Sequence, residues 1–454
     1  MEERMGTFKR IWKRKIRTNC AMIVLLGGFV PGLLAQETDP PVQLSFLEAI
    51  DRGARENHLV KSAMEEFQAA ESEHMAAKDD VWPRITANGG YQRFTKVQLY
   101  EGVLGESHQI TKPPNANAGN LGLETYFNLY SGKKQQSAIQ LAGFKSDLAA
   151  LDQQDRVAMT KLEIAQHYLD LVRIYHLKKL AKEQIVRAER RLANIRSLYD
   201  NGKVTKSDLL RAELMLSQVA LQYNSAENDY RIGNEKLNVL LDFPNGHMIV
   251  PTDTTAFVKV DSVAIREVLE KGEVPFPVQK SGIRTAVAKV QTKLAKGDNL
   301  PSVGLLGTYG LNYPNNLVFP PQDQTLGVGF IGAKVTYDLS ALYRNDNKVK
   351  AAKFRERETE LDRAYVEKQI AEQKQSLQFK YLEALNRIAV TQESIEQAKA
   401  NYKIINTKYF NQLALLTDLL DADNLYQQTK YDFILAHINA VAIYYKILYL
   451  TVQI

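Results

Sequence analysis

Tyr199-Asp200-Asn201-Gly202-Lys203-Val204-Thr205-Lys206-Ser207-Asp208-Leu209-Leu210-Arg211-Ala212 decides the fold, because the chain writes it twice. The second copy runs from Tyr409 to Ala422, and Ser207-Asp208-Leu209-Leu210 returns there, 210 positions on, as Thr417-Asp418-Leu419-Leu420. The same offset relates Ala188 to Ala398, Leu240 to Leu450 and Phe127-Asn128-Leu129 to Tyr337-Asp338-Leu339. Further upstream the offset becomes 218, pairing Trp82-Pro83 with Leu300-Pro301 and Tyr91 with Tyr309. The eight-residue difference falls in the loop between these landmarks. An internal repeat of this length is a structural unit used twice. Each unit reads as helix, strand, loop, strand, very long helix, tip and helix. The divisions are a leader at 1–35, a first unit at 36–242, a linker at 243–257 and a second unit at 258–454.

Helix is written in steps of three and four. Leu209, Ala212, Leu216, Val219, Tyr223, Ala226, Tyr230, Gly233, Leu237 and Leu240 keep that spacing, and so do their counterparts from Leu419 to Leu450. This is a coiled-coil seam with a left-handed tendency. Ile185, Ala188, Leu192, Ile195 and Tyr199 run the same way toward the first tip. Between Ser131 and Ser197 there is no proline, so a helix of roughly 100 Å is expected there at 1.5 Å per residue. A globular domain has no use for such a helix. A bare coiled coil or a tube does.

The strands tell against the bare coiled coil. Pro83 and Pro301 each close a helix, and alternating segments follow at approximately 84–100, 119–130, 301–313 and 325–339. Ile85, Ala87, Gly89 and Tyr91 alternate with Thr86, Asn88, Gly90 and Gln92, and Leu121, Leu123, Thr125 and Phe127 with Gly122, Glu124, Tyr126 and Asn128. In the fourth segment the apolar phase slips from Leu326, Val328 and Phe330 to Ile331, Ala333 and Val335, which suggests a bulge. Segments of about ten residues with one apolar face carry the pattern of outer-membrane strands. Four strands cannot close a pore, and lipid forbids open sheet edges, so such a chain must oligomerise.

Composition points to export. Lys9, Arg10, Lys13, Arg14, Lys15 and Arg17 precede an apolar run, Ala21 to Leu34, and Leu33-Leu34-Ala35 offers a cleavage site before Gln36. That is the grammar of a secretory signal peptide. Residues 1–35 hold seven basic and two acidic side chains, which leaves 51 basic against 50 acidic beyond them. The surplus charge belongs to the leader and makes no case for nucleic acid. Cys20, the one cysteine, precedes the apolar run and so does not fit a lipid anchor.

With these residues on the page, the chain resembles the TolC-like outer-membrane efflux and secretion channels over nearly all of 42–454. The resemblance rests on the joins at Pro83 and Pro301, on Phe127-Asn128-Leu129-Tyr130-Ser131-Gly132, and on the two turn-then-helix signatures at matching offsets. It implies an α+β membrane protein. Each chain of a homotrimer gives four strands to one β-barrel in outer-membrane lipid, and its helices continue the barrel as a coiled-coil tunnel in the periplasm. It further implies a periplasmic adaptor (membrane fusion) protein at the tips and an inner-membrane transporter behind it, with no cofactor, no metal and no catalysis.

Two sites follow from the resemblance. The adaptor-docking tips fall on Asn201, Gly202, Lys203 and Val204, with Asn411, Gln412, Leu413 and Ala414. The periplasmic aperture falls on Asp418 and Asp421, with Asp208 and Tyr409 as latch members; Ala414 stands where some relatives carry a basic latch residue. Read locally, Asn201-Gly202 makes a turn, and Ser207 or Asp208, like Thr417 or Asp418, would cap a helix.

Other classes find little footing. The seven histidines form no metal-ligand motif. Gly327-Val328-Gly329-Phe330-Ile331-Gly332 spells a dinucleotide fingerprint but lies inside a strand pattern. A soluble periplasmic coiled-coil or adaptor protein is the competing reading.

Overall fold

The computed structural model describes residues 40–93, 98–100, 107–109, 117–253, 262–314 and 323–454. The leader at 1–35, its cleavage site and Cys20 lie outside the described residues, as do parts of the loops between strands and of the 243–257 linker.

The first unit opens with β1 (Val42–Leu44), α1 (Phe46–Glu56) and α2 (His58–Asp79), and then β2 (Arg84–Arg93). A short ribbon follows, β3 (Gln98–Tyr100) paired with β4 (Ser107–Gln109), before β5 (Asn117–Ser131). The long helix α3 (Lys134–Asp200) and its return α4 (Lys206–Leu241) complete the unit. After β6 (Ile249–Pro251), the second unit repeats the order with α5 (Ser262–Lys271), α6 (Phe276–Gly297), β7 (Ser302–Tyr313), β8 (Leu326–Thr336), the single turn α7 (Ala341–Arg344), α8 (Asp346–Phe410) and α9 (Leu416–Leu450).

α3 has 67 residues and α8 has 65, about 100 Å each. Packing along the seams stabilises helices of this length more than intrinsic propensity does. α3 lies against α4, α8 against α9, and α3 also against α9. By composition and length α9 could cross a bilayer, yet it packs between α3 and α8 and carries a buried aspartate, Asp423. Its two apolar stripes explain this. Leu419, Ala422, Ala436, Ala440, Ile443 and Ile447 form one, and Leu416, Leu420, Ile438, Val441 and Tyr445 the other.

The middle of the molecule carries the largest core. Phe46 meets Tyr168 and Tyr445 edge-on at 5.4 and 4.9 Å between ring centres. Two buried phenols tie β1 and β6 to the long helices: Tyr168 donates to the Leu44 carbonyl at 2.7 Å and Tyr230 to that of Ile249 at 2.6 Å. Where β5 returns into α3, Gly132 (φ +63°) sits against Gly297, and a Cβ on either would lie 2.6 Å from the other's carbonyl oxygen. No other residue fits that approach.

The four long strands form one antiparallel sheet in the order β2-β5-β7-β8. Opposite residues share a face, so the register sorts the side chains. One face carries Thr86, Asn88, Asn120, Glu124, Thr308 and Asn312; the other carries Ile85, Ala87, Leu121, Leu123, Tyr309, Leu311, Ile331 and Val335. The β8 pattern resolves differently from the bulge expected there. Its ladder with β7 is unbroken from Ser302–Thr336 to Asn312–Leu326, and the register shift lies instead in β5, between Asn128 and Tyr130. Leu326, Val328 and Phe330 therefore stand on the polar face, leaving Gly327 and Gly329 on the apolar one, where the Tyr309 side chain lies over both.

The repeat survives in three dimensions. Tyr91 opposes Gly119 and Tyr309 opposes Gly329; Ala87 opposes Leu123 and Leu305 opposes Ala333. Each second pair is the first moved by 218 on one strand and 210 on the other.

Candidate functional site: the helical tips and the acidic turns behind them

Both long helices stop in the same six-residue turn. At the first tip Gly202 N–H donates to Tyr199 O at 2.8 Å and Lys203 N–H to Leu198 O at 2.9 Å. At the second, Gln412 N–H donates to Tyr409 O at 2.9 Å and Leu413 N–H to Lys408 O at 2.8 Å. This is a Schellman stop, which needs a left-handed residue after the cap. Gly202 supplies φ +71° freely, whereas Gln412 adopts φ +61°, at a cost of about 1 kcal/mol or more for an L side chain. The change from glycine to Gln412 leaves the loop geometry the same.

Helix capping corrects the local reading of Ser207 and Thr417. The N-cap of α4 is Thr205, whose Oγ1 accepts from Asp208 N–H at 3.2 Å while Asp208 Oδ2 accepts from Thr205 N–H at 3.0 Å. At the second tip Leu415 occupies that place and offers no acceptor, so only Asp418 Oδ2 to Leu415 N–H, at 3.1 Å, remains. Asp208 and Asp418 thus do the same work at N3 of their helices.

One apolar cluster seats both tips. Ile195, Ala212, Tyr409, Leu416, Leu419 and Leu420 are buried together. Full burial of Ile195 and Leu419 contributes about 1.5–3 kcal/mol each. Val204 and Ala414, read from sequence as tip surface, pack against this cluster and are half-buried. Asn201, Gly202, Lys203, Asn411, Gln412 and Leu413 are exposed, and Leu413 keeps 75% of its surface in solvent.

Asp418 and Asp421 lie exposed on the first turns of α9, directly behind the second tip. Tyr409 and Asp208 are close but not bonded: the Tyr409 hydroxyl is buried without a hydrogen-bond partner, and Asp208 is engaged by Thr205. Burial, and secondarily the Asp208 charge, holds the Tyr409 phenol above its ordinary pKa, so it stays neutral.

A charged group that the sequence reading passed over joins the helices behind the tips. Asp423 is 1% exposed. Its Oδ2 accepts from Arg191 Nη2 at 2.5 Å, and Arg187 Nε stands 3.6 Å from Oδ1. Arg191 is also buried. The pair locks α9 to α3 two to three turns from the tips. A visible signal existed: Asp423 and Gln427 interrupt the second apolar stripe of α9 between Leu420 and Ile438.

An edge-open sheet with a largely apolar face is thus continued by helical hairpins whose long arms run about 100 Å. Residues 49–241 match the family model described as outer membrane efflux protein. Among solved structures, VceC of Vibrio cholerae shares the fold at TM-score 0.72 and 16% identity, over 89% of this chain and 95% of that one. The Campylobacter jejuni outer membrane channel CmeC matches at 0.73 and 15%, over 95% and 94%. The outer membrane channel MtrE of Neisseria gonorrhoeae, solved in an open state, matches at 0.70 and 15%, over 90% and 88%. No curated protein sequence matches the chain. The family match spans most of the first unit, and over both units the chain shares the fold of these outer-membrane channels.

Proposed function

We propose that the chain forms, as a homotrimer, the exit duct of a tripartite efflux or type I secretion assembly. The sheet carries the reading. One face of β2, β5 and β7 is mostly apolar and the other mostly polar, and among the described residues the outer strands, β2 and β8, are each unpaired along one edge. In lipid such edges need partners. Closure by further copies puts Leu121, Leu123, Tyr309 and Ile331 toward lipid, and Asn88, Asn120, Glu124 and Thr308 toward a wet lumen. The helices then carry that lumen through the periplasm to a periplasmic adaptor and the inner-membrane transporter behind it. Cargo crosses the tube without chemistry in its wall, and the transporter supplies the energy.

The adaptor docks on the exposed part of the tips. Leu413 and Lys203 are the side chains to test, since Val204 and Ala414 are needed beneath them. Leu413→Asp is expected to fold and insert normally, with stability changed by less than about 0.5 kcal/mol as for other exposed sites. Dye efflux in cells carrying the adaptor and transporter is expected to fall to background. Wild-type efflux in Leu413→Asp would remove the second tip from the docking surface.

Asp418 and Asp421 ring the aperture. Three copies bring six carboxylates around the axis in a narrow, low-dielectric passage, where their fields add. A trivalent cation presented to the helical end is expected to block single-channel current in a planar bilayer, less so as salt screens the ring. Asp418→Asn with Asp421→Asn should abolish the block; the carboxamide oxygen at 418 still accepts from Leu415, so the helix start is preserved. An unchanged block in this variant would show that these aspartates do not line the passage.

A further inference from the structure

Behind the tips, α3, α4 and α9 leave a cavity of about 550 Å³ between them. Small side chains make the room: Ala181 on α3 and Val219 and Ala226 on α4 are buried along its wall. Most of the polar lining is carboxamide. Gln184 comes from α3, Gln218 and Gln222 from α4, and Asn424, Gln427 and Gln428 from α9. Among the described residues, Asp229 is the one carboxylate in the lining, and no lysine, arginine or histidine belongs to it.

Gln427 is 9% exposed, and neither its Oε1 nor its Nε2 has a hydrogen-bond partner in the chain. A carboxamide buried with both functions unpaired is costly and rare. Its place on α9 is fixed, because one turn toward the tip the Asp423–Arg191 pair holds the same face against α3. The repeat does not account for it. Gln218 and Gln428 are equivalents at the offset of 210, but the lining residues Asn424, Gln427 and Tyr431 correspond to Leu214, Ser217 and Leu221. The polar lining is therefore more than a solvated face common to both return helices.

We propose that this cavity binds a neutral, hydroxyl-rich cargo, a glycoside or short oligosaccharide, on its way into the tunnel. The inference rests on the duct and aperture proposed above and names a class of cargo for them. Asn424 and Gln428 follow Asp421 by three and seven residues and so stand on its side of α9. A passage that meets Asp421 meets them next.

The chemistry of the lining selects the class. A carboxamide offers an acceptor and donors together, which suits hydroxyl groups, since each of these also donates and accepts. The apolar wall of Ala181, Val219 and Ala226 suits the C–H face of a sugar ring. Without a cation in the lining, a phosphate, sulfate or carboxylate finds no counter-charge there. A lone exposed carboxylate, Asp229, holds a cation weakly. A peptide gains little, because the three helices use their backbone groups internally and present no strand edge to extend. The volume lies within the range of small-molecule sites, about 300–1,000 Å³.

Maltotriose is the probe, with the full-length protein in a polyoxyethylene detergent that carries no sugar head group. Saturation-transfer NMR should show transfer from protein to maltotriose that saturates with concentration and does not change with salt, since the sugar is neutral. Gln218→Ala with Gln222→Ala, both exposed at the rim, should weaken binding at least about tenfold through lost hydrogen bonds. Gln427→Leu should weaken it as much while leaving thermal stability equal or higher, because an apolar side chain replaces an unpaired carboxamide. A purely structural Gln427 would move stability and not sugar binding. In a planar bilayer, maltotriose on the helical side should interrupt single-channel current, and the same variants should shorten the interruptions. No transfer to maltotriose, or equal transfer in wild type and variants, overturns the assignment of the cavity. Binding without interruption of current overturns its role in cargo passage. An inserted protein without conductance overturns the duct itself, so the failures are told apart.

Discussion

Asp423→Ala is expected to destabilise the helical end of the molecule by about 3–5 kcal/mol per chain, the cost of stranding a buried charge. Asp423 and Arg191 are both buried and bonded at 2.5 Å, with Arg187 as a second cation at 3.6 Å. Removing the carboxylate leaves Arg191 with neither solvent nor counter-charge. Arg191→Ala should cost a similar amount for the mirrored reason. Replacing both, Asp423→Leu with Arg191→Leu, should restore much of the loss, because a well-packed apolar pair avoids the desolvation that the ion pair has to overcome. Thermal unfolding of the detergent-solubilised protein, followed by loss of helical circular dichroism, gives the comparison. If Asp423→Ala unfolds within about 1 °C of wild type, the pair is not the tie between α3 and α9 that its burial indicates.

Periodic features were legible in the sequence and relational ones were not. The repeat, the seams and the long helices follow from spacing alone, and Tyr91 with Tyr309 marks the same offset that the ladders show. The Asp423–Arg191 pair depends on two helices 232 residues apart in sequence meeting at one height, which no local pattern encodes. The caps were misplaced for a related reason. A Schellman stop uses residues beyond the helix end, so α4 begins its cap at Thr205 rather than Ser207, and α9 at Leu415 rather than Thr417.

Val204 and Ala414 show how a tip can carry side chains with different duties. Both lie at the tips, but their side chains turn inward onto the cluster of Ile195, Tyr409 and Leu419. A charge at Val204 would disturb that cluster, so it cannot separate docking from folding. In β8 the apolar phase change looked like an inserted residue. The unbroken ladder shows instead that two glycines took the apolar face and Tyr309 covered them. Cross-strand partners, not the strand's own sequence, settle which side of β8 is apolar.

Those faces predict opposite responses to the same substitution on one strand. Leu123 lies near the middle of β5 on the apolar face, between Ala87 and Tyr309. Leu123→Arg places a guanidinium toward the hydrocarbon core, at about 2–4 kcal/mol per copy near the midplane. In the proposed homotrimer three copies share the barrel, so assembly would bear that cost three times. Asn120, three residues earlier on the same strand, stands on the polar face between Gly90 and Asn312. Asn120→Arg adds the same charge to the wet side, where substitutions alter selectivity rather than stability. The expected result is little heat-modifiable oligomer from Leu123→Arg, and normal oligomer with reduced cation preference in bilayer currents from Asn120→Arg. Equal yields from the two variants would mean that neither face meets lipid. The reverse ranking would mean that β5 is inside out, and every lumenal assignment made from its register would change with it.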